Sequence, residues 1–406
     1  VTPSTMPSEA ASRIMPAASM SGGCHPVKKD DAQLGELSAA TDPRRPKVRL
    51  RPSASESSLP LNQRPTTVVE ATMKSSEPMP SRKRPTIIPA QGVAGNMAGS
   101  TAMGGGTMGK MALGTVKSLS VKCLSELSWH DNARMRLDVR DAGGLTADQF
   151  DVKWTPGNAA GVSALLAIAD AEGGARTILM DVGWDVEYMD GVFRREGVDR
   201  LLADGKIDFV YITHEHVDHF WGMPAVVKHR PDVKVVVPVG FSARSKELLE
   251  SSGHKGEVVE MAPGPHLLFP GCASVTFDQP IFLKTHGEQV LYVNVEGKGI
   301  VTITGCCHPG VLGLLEYAKE NFMGFSAFHG VYGGLHIAPF EEWGPPQEEV
   351  LDKLQAFNVR KFACNHCTGE TAVRKMRERG MPVAGGTARH GSKSVLYPGN
   401  GDTIDF

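Results

Sequence analysis

From about Ser118 onward the chain alternates short apolar runs with Gly, Pro and Asp punctuation; before that point it does not. "SALLAIAD" (163–170) and "TILMDVG" (177–183) predict two paired strands joined by the turn "AEGGAR". The β-branched runs "FVYIT" and "VKVVVP" flank a helix predicted around "GMPAVVKHR". "SARSKELLESSG" has Ser at a cap position and Gly at its end, so it reads as a helix. "ASVTF", "VLYVNV" and "IVTIT" predict further strands, the last two turning through "EGKG". Helical period then returns in "PGVLGLLEYAKENF", "PPQEEVLDKLQAFN" and "GETAVRKMRERG", with strands "SAFHGVYG" and "KFACN" between them. Strands first, then strand–helix alternation, in two successive halves, predicts two mixed sheets packed face to face with helices outside. That is an α/β (α+β) sandwich.

The first 115 residues have a different texture. They are rich in Pro, Ser, Ala, Met and Gly, nearly free of aromatics, and show no sustained period. Such composition buries too little apolar surface to offset chain entropy, so 1–115 is expected to be a disordered low-complexity segment and 116–406 the folded domain. Residues 1–90 carry 13 Lys and Arg against 8 Asp and Glu, including "RRPKVRLR" at 44–51. A solvated tail is favoured there over a nucleic-acid or lipid patch. "VAGNMAGSTAMGGGTMGKMALG" (93–114) follows the basic "SRKR" but is Gly-rich for an export signal, which stays a second reading. Val1 leaves the physiological start open, with Met79 an alternative.

Charge and cysteine usage narrow the class. A net charge of −2 suggests neither nucleic acid nor membrane as a partner, and no apolar stretch is long enough to span a bilayer. Seven partly clustered cysteines do not form a secreted disulfide framework, so a reduced, cytoplasmic compartment is expected. The expected partner is a small-molecule substrate; the oligomeric state stays open.

The chemistry lies in "THEHVDHFWG" (213–222), directly after the apolar "IDFVYI". Three histidines and two acids within six residues repel one another, or need buried partners, unless a metal ion binds them. The i, i+2 spacing of His214 and His216 in extended chain lets both reach one ion, and Asp218 and His219 can face a second. Imidazole and carboxylate suit zinc, with iron or manganese as alternatives. Further ligands are expected at strand ends downstream: His308 in "TITGCCHPG" and His366 in "CNHCTGE", each at a strand–loop–helix corner. Cys364 and Cys367 bracket His366 and also read as a separate zinc knuckle, although no second Cys/His pair at matching spacing supports one.

"HEHVDH" resembles the HxHxDH signature of the metallo-β-lactamase superfamily, whose fold is an αββα sandwich. "TILMDVG" resembles its preceding strand, which implies that Asp181 supports the metal histidines from behind. "TGCCHPG", "YGGLHI" (332–337), "NHCTG" and the terminal "GDTIDF" resemble a branch labelled metal-dependent hydrolases or 7,8-dihydropterin-6-yl-methyl-4-(β-D-ribofuranosyl)aminobenzene-5'-phosphate synthase. The resemblance covers about 118–406 and implies six metal ligands, His214, His216, Asp218, His219, His308 and His366. Three departures matter. Trp221 stands where many members have glycine, and is expected to narrow or floor the substrate mouth. The bridging aspartate of the superfamily is replaced by Cys306, either a thiolate ligand or a small buried thiol. His286 sits where many relatives carry the third histidine and rivals His308. His336 is a further ligand or substrate contact, and the glycines before it imply close backbone approach to something.

The expected activity is metal-dependent hydrolysis of a small anionic ester or phosphoester. Two divalent ions acidify a shared water to hydroxide and Asp218 orients it. The helix N-termini after Cys307 and Cys367 would receive an anion. The alternatives are the dihydropterin synthase reaction, a transferase chemistry, and a metal-bound sensor without turnover.

Overall fold

The computed structural model describes residues 86–88 and 109–406, all within one unit spanning Met79–Phe406. The first half runs β1 (Thr86–Ile88), β2 (Met111–Ala112), β3 (Val116–Ser125), α1 (Asn132–Asp141), β4 (Ser163–Asp170), β5 (Ala175–Met180), α2 (Val186–Glu196) and α3 (Val198–Ala203). It continues with β6 (Phe209–Tyr211), α4 (Val217–Phe220), α5 (Met223–Val227), β7 (Val235–Pro238), α6 (Ala243–Ser251) and β8 (Val258–Met261). The second half holds β9 (Gly264–Phe269), β10 (Cys272–Pro280), β11 (His286–Val295), β12 (Gly299–Ile303), α7 (Val311–Asn321), β13 (Phe322–Met323) and β14 (Phe328–Gly334). α8 (Pro345–Gln355), β15 (Phe362–Asn365), α9 (Glu370–Glu378) and β16 (Thr403–Asp405) close the chain.

The strands follow the order β8-β7-β6-β5-β4-β3 and then β11-β12-β14-β15. The two sheets share an edge where Val295 pairs in parallel with Val116, and the halves also join where β16 pairs with β3 and β13 with β2. Period-2 side-chain alternation then sorts residues into layers. On β11, Leu291 and Val293 enter the core between the sheets, where Leu119, Leu166, Met180 and Ile303 also sit. Val290 and Tyr292 point the other way, onto α7, α8 and α9 through Leu314, Leu354 and Met376. On β5, Met180 faces inward while Leu179 meets Phe193 of α2 and Phe220 of α4. The result is the expected four-layer αββα sandwich.

The helices are capped as the sequence suggests. Ser242 Oγ accepts from Ser245 N at the start of α6, and Asp185 accepts from Tyr188 N at the start of α2. Gly197, in the left-handed region at φ 75°, ends α2.

Three described features lie on the N-terminal side of the boundary expected at 115. β2 pairs with β13, Leu113 is buried, and β1 lies parallel to β8, all within the segment read as low-complexity. The remainder of that segment, with its basic run, the alternative start at Met79 and most of the weak export signal, lies outside the described residues. Among the described residues no helix is long and apolar enough to cross a membrane.

Candidate metal centre

The cluster forms at the sheet ends where β5, β6 and β12 stop. After β6 the chain turns through Thr213–His216, and α4 begins with His216 at its cap position. His214 and His216 rings lie 4.6 Å apart, with His214 Nε2 2.9 Å from His216 Nδ1. His308 joins them to form one triad; Asp218, His219 and His366 form another. In each triad the potential ligand atoms lie within 4.8 Å of one another. Asp218 Oδ2 stands 3.8 Å from His219 Nε2 and 3.9 Å from His366 Nε2.

Each of the five imidazoles is oriented by a partner on its outer nitrogen. His214 Nδ1 donates to Thr213 Oγ1 (3.0 Å), a hydroxyl that itself donates to Asp181 Oδ2 (2.8 Å). His219 Nδ1 donates to Asp181 Oδ2 at 2.7 Å. His216 is turned over: Nε2 donates to the Phe282 carbonyl at 3.1 Å, leaving Nδ1 inward. His308 Nδ1 donates to Glu288 Oε2 (2.8 Å), and His366 Nδ1 to Ser128 Oγ (2.8 Å). That leaves the inner nitrogens, His214 Nε2, His216 Nδ1, His219 Nε2, His308 Nε2 and His366 Nε2, as the atoms that can offer lone pairs to a metal ion, aimed at common ground. Fixing the outer nitrogen this way is how proteins hold metal-ligating histidines. His308 Nε2 is buried with no protein partner at all, an expensive arrangement that a cation repairs. The donor set fits divalent ions.

The electrostatics agree. Burial, then the neighbouring imidazoles, hold His214 well below the ordinary histidine range, and burial takes His216 down to about 3. Burial also acts against a charged His219, but the Asp218 and Asp181 carboxylates outweigh it and lift His219 to about 9. Burial would raise Asp218; His219, His366 and a Ser128 hydrogen bond outweigh this and hold its carboxyl low. A stability test follows. With metal stripped by chelator, the unfolded chain binds protons at His214 and His216 below about 6.5 while the folded chain refuses them. Stability should therefore fall as pH drops from 6.5 toward 3. His219 does not offset this, because the contribution of a raised histidine is already complete below 6.5. Thermal melts across that window check it; a flat melting temperature contradicts it.

The structure brings His214, His216, Asp218, His219, His308, His366, Cys306 and His336 together, with Asp181 against His219 as expected. It does not bring in His286, which lies at the start of β11, half-exposed and paired with Asp278 Oδ1 at 2.6 Å. Of the two rivals, His308 lies within 4.8 Å of the donor atoms of His214 and His216, and His286 is not in that grouping. Trp221 does not line the substrate mouth; it packs on Phe150 (4.9 Å) and Trp184 (6.4 Å) behind the site. The glycines of "YGGLHI" admit the protein's own atoms: Gly333 lies against the Thr304 carbonyl at φ 114°, and Gly334 against Cys367 Sγ and Gly305 O. Cys364 sits in the helix-side core while Cys367 joins the cluster, so the two do not share an ion site. The N-terminus of α9 is already capped, with Glu370 N and Thr371 N donating to Glu341. That of α7, at Val311, has no side-chain cap.

Three participants escaped the sequence reading, and a fourth, Cys367, was read only as half of a separate zinc knuckle. Glu288 is fully buried at the head of β11; a lone acid in the apolar run "HGEQVLYVNV" is the signal that marks it, since such an acid needs a partner. Ser128 and Trp129 arrive from the segment between β3 and β4, whose α1 caps the site through Met135, Val139, Trp154 and Phe282. Cys367 lies beside Cys306 and His366. Beneath this cap a cavity of about 450 Å³ opens onto Asp218, Cys306 and His366, walled by Trp129, Trp154 and Phe282.

The metallo-beta-lactamase superfamily model matches residues 160–327, which include His214 to His219, Glu288, Cys306 and His308. Over those residues the chain is similar to the metallo-β-lactamase superfamily. That likeness and the clustered His, Cys and Asp donors together support divalent-metal binding. A curated protein of Methanocaldococcus jannaschii, 7,8-dihydropterin-6-methyl-4-(beta-D-ribofuranosyl)-aminobenzene-5'-phosphate synthase, is 22% identical over 211 residues, 42% of this chain and 70% of that protein. Among solved structures, a metal-dependent hydrolase of the beta-lactamase superfamily is 17% identical, with a TM-score of 0.46 over 70% of this chain and 98% of its own. The metallo-beta-lactamase fold protein YhfI of Bacillus subtilis is 11% identical, with a TM-score of 0.42 over 71% and 100%. His336 and His366 lie beyond the superfamily match, on the C-terminal part of the sandwich.

Proposed function

We propose that the chain is a metal-dependent hydrolase acting on a small ester or phosphoester with an apolar body and an anionic group. The observation that carries this reading is the set of five oriented imidazoles with Asp218, of which His216, Asp218 and His366 line one apolar-walled cavity. Two divalent ions are proposed, one at each triad, most naturally zinc, with iron or manganese as alternatives. When bound, such ions acidify water and polarise a carbonyl or phosphoryl oxygen. The remaining work belongs to the chain. Asp218, held ionised by His219 and His366, accepts a hydrogen bond from the attacking water and fixes its orientation. Trp129, Trp154 and Phe282 exclude bulk water and hold the apolar body. Arg136, Arg140 and Lys393 at the cavity, and the uncapped first turn of α7, are the groups available to an anion.

A second reading, a synthase joining a dihydropterin to a ribofuranosylaminobenzene phosphate, is favoured by the similarity to the M. jannaschii protein. A panel of lactones, phosphodiesters and phosphomonoesters, run with and without chelator beside the two synthase substrates, separates the readings. The expected result is chelator-sensitive hydrolysis of at least one ester. Asp218→Asn should reduce it by about 10²–10⁴-fold, the usual scale for a positioned acid–base group. Condensation of the synthase substrates without hydrolysis of any ester supports the second reading. Full metal loading with neither reaction points to a sensor.

A further inference from the structure

We propose that the cap over the cavity is coupled to the metal position at His214, His216 and His308, through Gln149 and the loop from Phe282 to Thr285. These are positioning residues: His216 is set for an ion only while the cap is packed down. The proposal rests on the metal-dependent reading above and concerns how one of its two positions is assembled.

The cap does not close its own core. Met135, Val139 and Val152, with Trp129 and Trp154 packed against them, are joined in one hydrophobic cluster by Leu283 and Phe282, from the loop between β10 and β11. Two backbone bonds tie that loop to the cap, Leu283 N donating to Leu145 O at 2.7 Å and Gln149 N to Leu283 O at 3.3 Å. Leu283 and Lys284 both stand in the left-handed region, at φ 58° and 55°. Consecutive non-glycine residues stay there only when their surroundings hold them. The cap supplies that hold on Leu283.

On its other side the same loop holds His216. Phe282 O and Thr285 Oγ1 each lie 3.1 Å from His216 Nε2, and the Phe282 and His216 rings are 4.5 Å apart. Thr285 Oγ1 also donates to Phe282 O at 3.0 Å, which fixes the two partners to each other. The cap reaches this histidine by a second route. Gln149 is buried, and its Nε2 donates at 2.8 Å to the carbonyl of Glu215, the residue between His214 and His216. The cap therefore grips the ring of His216 through the loop and its backbone through Gln149. Outer partners of this kind decide where a ligating imidazole points. His219 takes its partner elsewhere, from Asp181 just after β5.

The test is a competitive chelator titration of Zn²⁺ on the full chain, which should give two stepwise affinities. Thr285→Val and Gln149→Met roughly keep volume and each remove one hydrogen bond. Each should weaken one affinity about 10–100-fold and leave the other nearly unchanged. Val152→Ala thins the core of the cap, yet Val152 neither lines the cavity nor belongs to any group of candidate ligands. A merely structural cap would let this variant lower the denaturation midpoint of the metal-free protein with both affinities intact. Coupling predicts the same selective loss of one affinity. Lys284→Gly, which lets the loop take its left-handed turn without being pressed into it, should restore part of that loss when combined with Val152→Ala. Two unchanged affinities in Val152→Ala, or equal weakening of both, overturn the coupling while leaving the hydrolase reading standing. Failure of the parent protein to bind Zn²⁺ at all overturns both.

Discussion

His308→Ala should leave the purified protein short of one metal ion per chain, and His286→Ala should not. The expectation reverses what the general superfamily layout would suggest for a histidine at position 286. The reason is visible in the partners. His308 has Nδ1 locked on a buried carboxylate and Nε2 bare, within 4.8 Å of the ligand atoms of His214 and His216. His286 is half-exposed, and its Nε2 is taken by Asp278 on the neighbouring strand β10. Removing His308 deletes a ligand from a three-histidine site and should lower affinity there beyond the roughly 10–100-fold typical when only an outer partner is lost. Removing His286 costs an exposed ion pair of the kind worth about 0–1 kcal/mol. Elemental analysis of both variants, prepared in parallel with the parent, decides between them. Loss of an ion from His286→Ala with a full complement in His308→Ala would reject the geometry described here.

Most of the sandwich was legible because its strands are buried on one or both faces. The runs "SALLAIAD", "VLYVNV" and "IVTIT" announce themselves by apolar content, and each strand lies where the pattern puts it. The inner histidines were legible for a different reason: their spacing within "HEHVDH" is local, so one stretch of chain carries four donors. What stayed hidden is non-local. Ser128 and His366 are 238 residues apart in the chain, and nothing near either predicts their hydrogen bond. The cap over the site was also invisible. Its α1 has the sequence "NARMRLDVRD", with only Met135, Asp138 and Val139 buried, too polar a stripe to declare which surface it covers.

His308 lies beside His214 and His216, but not for the reason its sequence suggests. The helical period of "PGVLGLLEYAKENF" puts a helix start at Pro309; α7 instead begins at Val311 after Gly310, and His308 stays in the loop. Cys307, at φ 62°, turns the chain there, in a region that non-glycine residues visit only when their surroundings enforce it. The enforcing group is Glu288. A sequence scan for metal ligands passes over it because it touches no ion position, yet it determines where one ligand points.

Glu288 therefore carries the other large expected effect. Its Oε1 accepts from Cys307 N at 2.8 Å, and its Oε2 accepts from His308 N and from His308 Nδ1, both at 2.8 Å. Burial would favour the neutral acid, but His308 and these hydrogen bonds outweigh it and keep the carboxyl low, hence ionised. Glu288→Ala strands four donors, counting Thr304 Oγ1 at 3.3 Å from Oε1, each costing about 1–3 kcal/mol when left unmade, and frees the Cys307 turn. Stability should fall by on the order of 3 kcal/mol or more, seen as a lowered denaturation midpoint. Glu288→Gln preserves the volume but offers an amide that can accept through only one atom. Some donors keep a partner, the fold should survive, and the loss should move to the metal: about 10–100-fold weaker binding at the His214, His216 and His308 position, with the Asp218 triad little changed. Competitive chelator titration of the two ions, alongside denaturant melts, separates these effects. If Glu288→Gln binds both ions as tightly as the parent, the carboxylate serves the β11 strand alone. The orientation of His308 would then have to come from the turn at Cys307 without it.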